Sequence, residues 1–142
     1  MTTIDFYTNV ADPLRLAARI VAKAWRTHGN VRVLTPDVAT TDMLDRLLWT
    51  EPQASFVPHC RMASPIAAET PIWVDDVLDH AGPAEVLVNL HREPPPFFSR
   101  FERLAEIVAA DDDALAAGRA RYRYYRERGY DLRQHDWSQR EG

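Results

Sequence analysis

The stretch TIDFYTNVADPLRLAARIVAKAWRTHGNVRVL, from Thr3 to Leu34, reads as strand, helix and strand in succession. Ile4 and Phe6 fall on one side of a short extended segment over Thr3–Tyr7, the two-residue period of a half-buried strand. Asp12-Pro13 then opens a helix. The aspartate oxygen accepts from an unbonded amide of the first turn, and proline suits the first helical position, where its missing N–H would have no partner anyway. Leu14, Ala17, Val21, Ala24 and Trp25 recur along one stripe of that helix, and Gly29 ends it. Val31–Leu34 is the second strand.

Downstream the alternation continues. A second helix, capped by Thr40 or Thr41, carries Met43, Leu44, Leu47 and Leu48 and closes at Trp49, just before Glu51-Pro52. Two strand–helix repeats in a row predict crossover connections and a parallel sheet. Beyond them, Ser55–His59 reads as a short extended piece, and Ile72–Val74 and Val86–Leu90 as strands. Pro94-Pro95-Pro96 breaks the chain and a short helix starts near Phe97; Leu104–Ala109 either continues that helix or forms an edge strand, and Ile107-Val108 favours the strand. Asp111, Asp112 and Asp113 begin a last helix, favoured there by the helix dipole. It runs to Arg128, with Gly129 as its stop and Tyr130–Trp137 as a tail. The expected architecture is one three-layer α/β domain over residues 1–142, with a mostly parallel sheet.

The 142 residues are 46% hydrophobic and 27% charged, ordinary values for a globular chain. No run approaches the roughly 18 apolar residues of a membrane span. Met1-Thr2-Thr3-Ile4-Asp5 lacks the basic start and apolar run of a signal peptide. Cys60 is the only cysteine, which fits a reducing, cytoplasmic setting. The segment from Arg119 to Gly142 holds seven arginines against four acids, so all of the negative balance lies in the rest of the chain. An acidic body repels a long phosphate backbone, whereas a basic patch on it can hold a short acidic ligand. Broad nucleic-acid binding is therefore not expected, and no direct specific nucleic-acid partner is expected either.

An α/β chain invites a nucleotide-site reading. Its five glycines (Gly29, Gly82, Gly118, Gly129 and Gly142) fit neither dinucleotide nor P-loop spacing. A nucleotide-like topology without a nucleotide site is thus expected, with no cofactor. The histidines form no H-E-x-x-H, no cysteine pair exists for zinc, and no metal site is expected. His59 and Cys60 are adjacent on an extended segment, where neighbouring side chains point apart, which is poor geometry for a catalytic dyad. Asp75-Asp76 and Asp111–Asp113 read as a solvated loop and a helix cap.

Two segments remain. Around the turn at Pro52, Trp49 and Phe56 flank a proline break. In Arg119-Ala120-Arg121-Tyr122-Arg123-Tyr124-Tyr125-Arg126, helical spacing puts Arg119, Tyr122, Arg123 and Arg126 on one face. Together these residue types make an apolar pocket rimmed by guanidinium groups. Such a pocket suits a peptide end bearing a ring and a carboxylate: burial supplies affinity, and arginine takes the carboxylate bidentately. The competing reading is a core Trp49 and Phe56 with solvated arginines.

The runs Leu48-Trp49…Pro52…Ser55-Phe56-Val57-Pro58-His59 and Arg119-Ala120-Arg121-Tyr122-Arg123…Tyr125-Arg126…Gly129-Tyr130-Asp131-Leu132 resemble the chi subunit family of bacterial DNA polymerase III. So do the Phe6-Tyr7 strand and Trp25-Arg26 near the end of the first helix. The resemblance runs from Phe6 to Trp137, with Arg61–Pro83 divergent. It implies a non-enzymatic clamp-loader accessory protein that binds the acidic, Phe-ending C-terminal tail of the single-stranded-DNA-binding protein and pairs with the psi subunit. Carried over by position, the tail pocket is Trp49, Phe56, Val108, Arg119, Tyr122 and Arg123: Trp49, Phe56 and Val108 hold the terminal ring, Arg119 meets the carboxylate, and Arg123 attracts the acids. A basic family position one turn before Arg119 is Leu115 here. The alternatives are an enzyme acting on a nucleotide or small acid at the strand ends, and single-strand binding by the Arg/Tyr helix.

Overall fold

Seven strands form one sheet in the computed structural model, which describes residues 1–51, 57–78 and 82–138. In chain order the elements are β1 (Thr3–Val10), α1 (Pro13–His28), β2 (Val31–Leu34), α2 (Val38–Thr50), β3 (His59–Cys60), β4 (Ile72–Asp75), β5 (Val86–Asn89), β6 (Arg103–Ala109), α3 (Asp112–Glu127) and β7 (Asp131–Asp136). The strands lie in the order β3-β4-β2-β5-β6-β1-β7, and every neighbouring pair is parallel.

That order separates the helices. From β1 the chain travels across the sheet to β2, carrying α1, and then outward to β3, carrying α2. From β6 it travels the opposite way to β7, carrying α3. Crossovers between parallel strands are almost always right-handed, so opposite travel places helices on opposite faces. The buried side chains divide accordingly. On one face Ala17, Ala18, Val21, Leu44 and Leu48 pack against Val31, Val33, Val86 and Val88. On the other Tyr125 packs with Ile4, Phe6, Leu87, Leu104 and Val108. Each fully buried Val, Leu or Phe among them contributes about 1.5–3 kcal/mol.

Local chemistry explains most element ends. Asp12 accepts from the Arg15 amide at 3.2 Å, and Gly29 takes φ 106° at the end of α1. The second helix begins earlier than its threonines suggest. Asp37 is its cap, accepting from Thr40 N at 2.7 Å, while the Thr41 hydroxyl is buried against that of Thr35. A carboxylate outcompetes a hydroxyl for these amides, and Thr41 points into the core. Asp111 caps α3 by accepting from Ala114 N at 2.9 Å. The expected short helix after the prolines is a single 3-10 turn over Phe98–Arg100. The tail after Gly129 is the edge strand β7, in register with β1 from Thr3–Asp131 to Thr8–Asp136. Among the described residues no helix is long and apolar enough to cross a membrane.

Candidate peptide-binding groove

Helix α3 is held in one rotational setting by a buried polar cluster. Glu106, on β6, is fully buried. Its carboxylate accepts from Arg121 Nε at 3.0 Å, from Asn89 Nδ2 at 2.9 Å and from the Tyr125 hydroxyl. Arg121 also donates from Nη1 to the Arg92 carbonyl at 2.8 Å. Burial pushes the Glu106 carboxyl above the usual carboxylate range, against the pull of the Arg121 charge. Burial, together with the Glu106 charge, raises the Tyr125 hydroxyl far above an ordinary tyrosine, so it stays protonated and donates.

With Arg121 and Tyr125 turned inward, the adjoining face of α3 overhangs the end of the sheet. A groove of about 560 Å³ opens between α3, β6, β1 and β7. Val108 and Phe6 form its floor, Leu115 and Tyr122 its apolar wall, and Arg119, Arg123 and Arg126 its rim. Tyr122 meets the Phe6 ring edge-on, with centroids 5.2 Å apart. Gly118 sets the depth. A Cβ built on it would stand 2.8 Å from Val108 Cγ1, closer than packed atoms approach. Gly118→Ala is therefore expected to push α3 off Val108 and lower stability by about 1–3 kcal/mol, read from a shift in the urea midpoint.

The three rim arginines are exposed, and none makes an ion pair with another described residue. Arg126 lies 6.0 Å from the Tyr122 ring centroid. The arrangement offers unspent positive charge beside an apolar floor. A second crevice opens at the carboxyl ends of the strands, where doubly wound sheets commonly bind ligands. Its buried cation, Arg121, is already committed to Glu106.

Comparison with known proteins bears on this geometry. The family model for the DNA polymerase III chi subunit, HolC, matches residues 1–133. The chain belongs to the chi subunit family. Among its relatives, the DNA polymerase III subunit chi of Pseudomonas aeruginosa is 35% identical over 95% of this chain and 96% of its own length. That of Escherichia coli K12 is 26% identical over 96% of this chain and 91% of its own length. The Haemophilus influenzae subunit is 28% identical over 82% of each.

In this chi chain the residues singled out from sequence separate into two places. Val108, Arg119, Tyr122 and Arg123 line the α3 groove. Trp49 does not join them. It closes α2, on the opposite face and towards the other end of the sheet, and the expected single pocket combining it with Arg119 is not formed. The indole is also not core: it is 54% exposed, with its ring 4.7 Å from that of His59. His59 is buried and bonds through Nδ1 to the Val57 carbonyl at 2.7 Å. Phe56 lies outside the described residues. Phe6 and Gln134 of the groove carry no local signal in the sequence, because only the β6-β1-β7 pairing brings them under α3, and Gly118, on α3 itself, shows its role only once Val108 lies against it. Arg126 had a signal, its i+3 spacing from Arg123.

Proposed function

We propose that this chi-family chain is a non-catalytic adaptor that grips the acidic, Phe-ending C-terminal tail of the single-stranded-DNA-binding protein in the α3 groove and pairs with the psi subunit through a separate surface. The carrying observation is the apolar floor of Val108 and Phe6 directly beside three arginines that have no carboxylate partner among the described residues. A terminal phenyl ring fills the floor, Arg119 takes the terminal carboxylate, and Arg123 faces the preceding acids. Burial gives the affinity, and charge pairing gives the orientation and association rate.

For psi we assign the outer end of α2. An exposed tryptophan braced by a buried, hydrogen-bonded histidine is the kind of rigid aromatic anchor that dominates protein interfaces. Two partners on opposite faces can be held at once, as an adaptor requires.

Titration calorimetry checks the tail reading. A peptide ending in several acids and phenylalanine is expected to bind in the low-micromolar range, on the order of −8 kcal/mol. Its affinity should fall as salt screens the exposed charges. Absence of binding, or equal binding of a peptide lacking the terminal phenylalanine, would sink it.

A further inference from the structure

We infer that the ligand lies in the groove with one polarity. Its free carboxylate is at Arg119, and its acidic residues run towards the C-terminal end of α3, where Arg126 reads the acid about three residues upstream of the terminus. This rests on the tail-binding reading above and adds to it a direction and a residue.

The parallel sheet makes the two ends of the groove unlike. At the carboxyl end of the strands α3 begins, and there stand Asp111, Asp112 and Asp113, all exposed. Asp136, at the end of β7, stands at that same end, its Oδ1 accepting from Asn9 Nδ2 at 3.2 Å. The helical wall at that end is Leu115, which carries no charge. The positive dipole end of α3 is therefore already matched by its own aspartates. At the other end the groove is walled by Tyr122, Arg123 and Arg126, and its strand side presents the neutral Gln134. Glu127 and Asp131 stand exposed near that end too, but the groove wall there carries Arg123 and Arg126, whereas the wall at the Asp112 end carries no cation beyond Arg119. An acidic segment running towards Asp112 meets like charge, and one running towards Arg126 meets opposite charge.

Length fits the same arrangement. A helix rises about 1.5 Å per residue, so Arg123 and Arg126 lie roughly 6 and 10 Å along the axis from Arg119. An extended peptide advances about 3.3–3.6 Å per residue. A ligand anchored at Arg119 by its carboxylate thus brings its second and third upstream residues opposite Arg123 and Arg126.

A charge swap tests this with peptides of eight residues ending in phenylalanine. Arg126→Glu is expected to weaken binding of the acidic peptide roughly five- to tenfold at low salt, the scale of reversing one exposed pair. Lysine in place of the acid three residues before the phenylalanine should restore most of that loss in the variant and weaken binding to the wild type. Lysine at the position next to the phenylalanine should not restore it. Asp113→Lys should change affinity less than twofold. If the wild type binds the acidic peptide but Arg126→Glu has no effect, or if Asp113→Lys tightens binding severalfold instead, the polarity is overturned and the tail reading stands. If the wild type binds none of the peptides, both fall.

Discussion

Glu106→Ala is expected to lower the unfolding free energy by about 3–5 kcal/mol, the cost of leaving one member of a buried ion pair without its partner. Arg121 is 4% exposed and Glu106 fully buried, so neither charge has water to fall back on. Alanine at 106 would strand the guanidinium together with the Tyr125 hydroxyl and the Asn89 amide. The reverse deletion behaves differently, because a carboxyl can neutralise itself and a guanidinium cannot. In Arg121→Met, the opposing pull of the arginine is gone and burial alone acts on Glu106. Its folded-state pKa, already above the unfolded value, then rises further and widens the gap. Between the two the folded state holds a proton that the unfolded state has released, so stability falls as pH rises through that window. Urea denaturation across the acid-to-neutral range checks both variants. A loss under about 1 kcal/mol for Glu106→Ala would mean that the cluster is solvated. The cluster also acts on the groove: it fixes the rotational setting of α3 and hence the side on which Arg119 and Arg123 emerge.

Arg119→Ala is expected to weaken the tail peptide by about 1–3 kcal/mol, typical of a lost hydrogen bond to a charged group. Trp49→Ala is expected to leave that affinity unchanged and to weaken pairing with psi about thirtyfold or more, since a central aromatic anchor commonly accounts for about 2 kcal/mol or more. Both substitutions are at exposed positions, so folding should survive them. Calorimetry with the peptide and co-purification with psi give four readings. Loss of peptide binding in Trp49→Ala would return the indole to the tail site and contradict the separation of faces.

Much of this was open to reading along the chain. The Asp12-Pro13 start, the stripe from Ala17 to Ala24 and the Asp111 cap are local events, governed by amides and side chains within one turn of each other. Arg119, Tyr122 and Arg123 share a face for the same reason, since helical spacing needs no knowledge of the rest of the molecule. The second cap lies a few residues before the threonines because the choice between Asp37 and Thr41 depends on which side chain the core claims. The strand β7 looks like a tail in the sequence because an edge strand with mostly exposed positions carries little hydrophobic period, and its partner β1 lies more than a hundred residues away.

Sequence alone determined the strand–helix alternation, the parallel class of sheet and the cationic face of the last helix, all of which follow from neighbours in the chain. Strand order was decided only in three dimensions, by which hydrophobic edges pair over long separations. With right-handed crossovers, that order sends α2 to one face and α3 to the other. It therefore parted Trp49 from Arg119, and it laid Phe6 and Val108 side by side as the floor on which the arginines act.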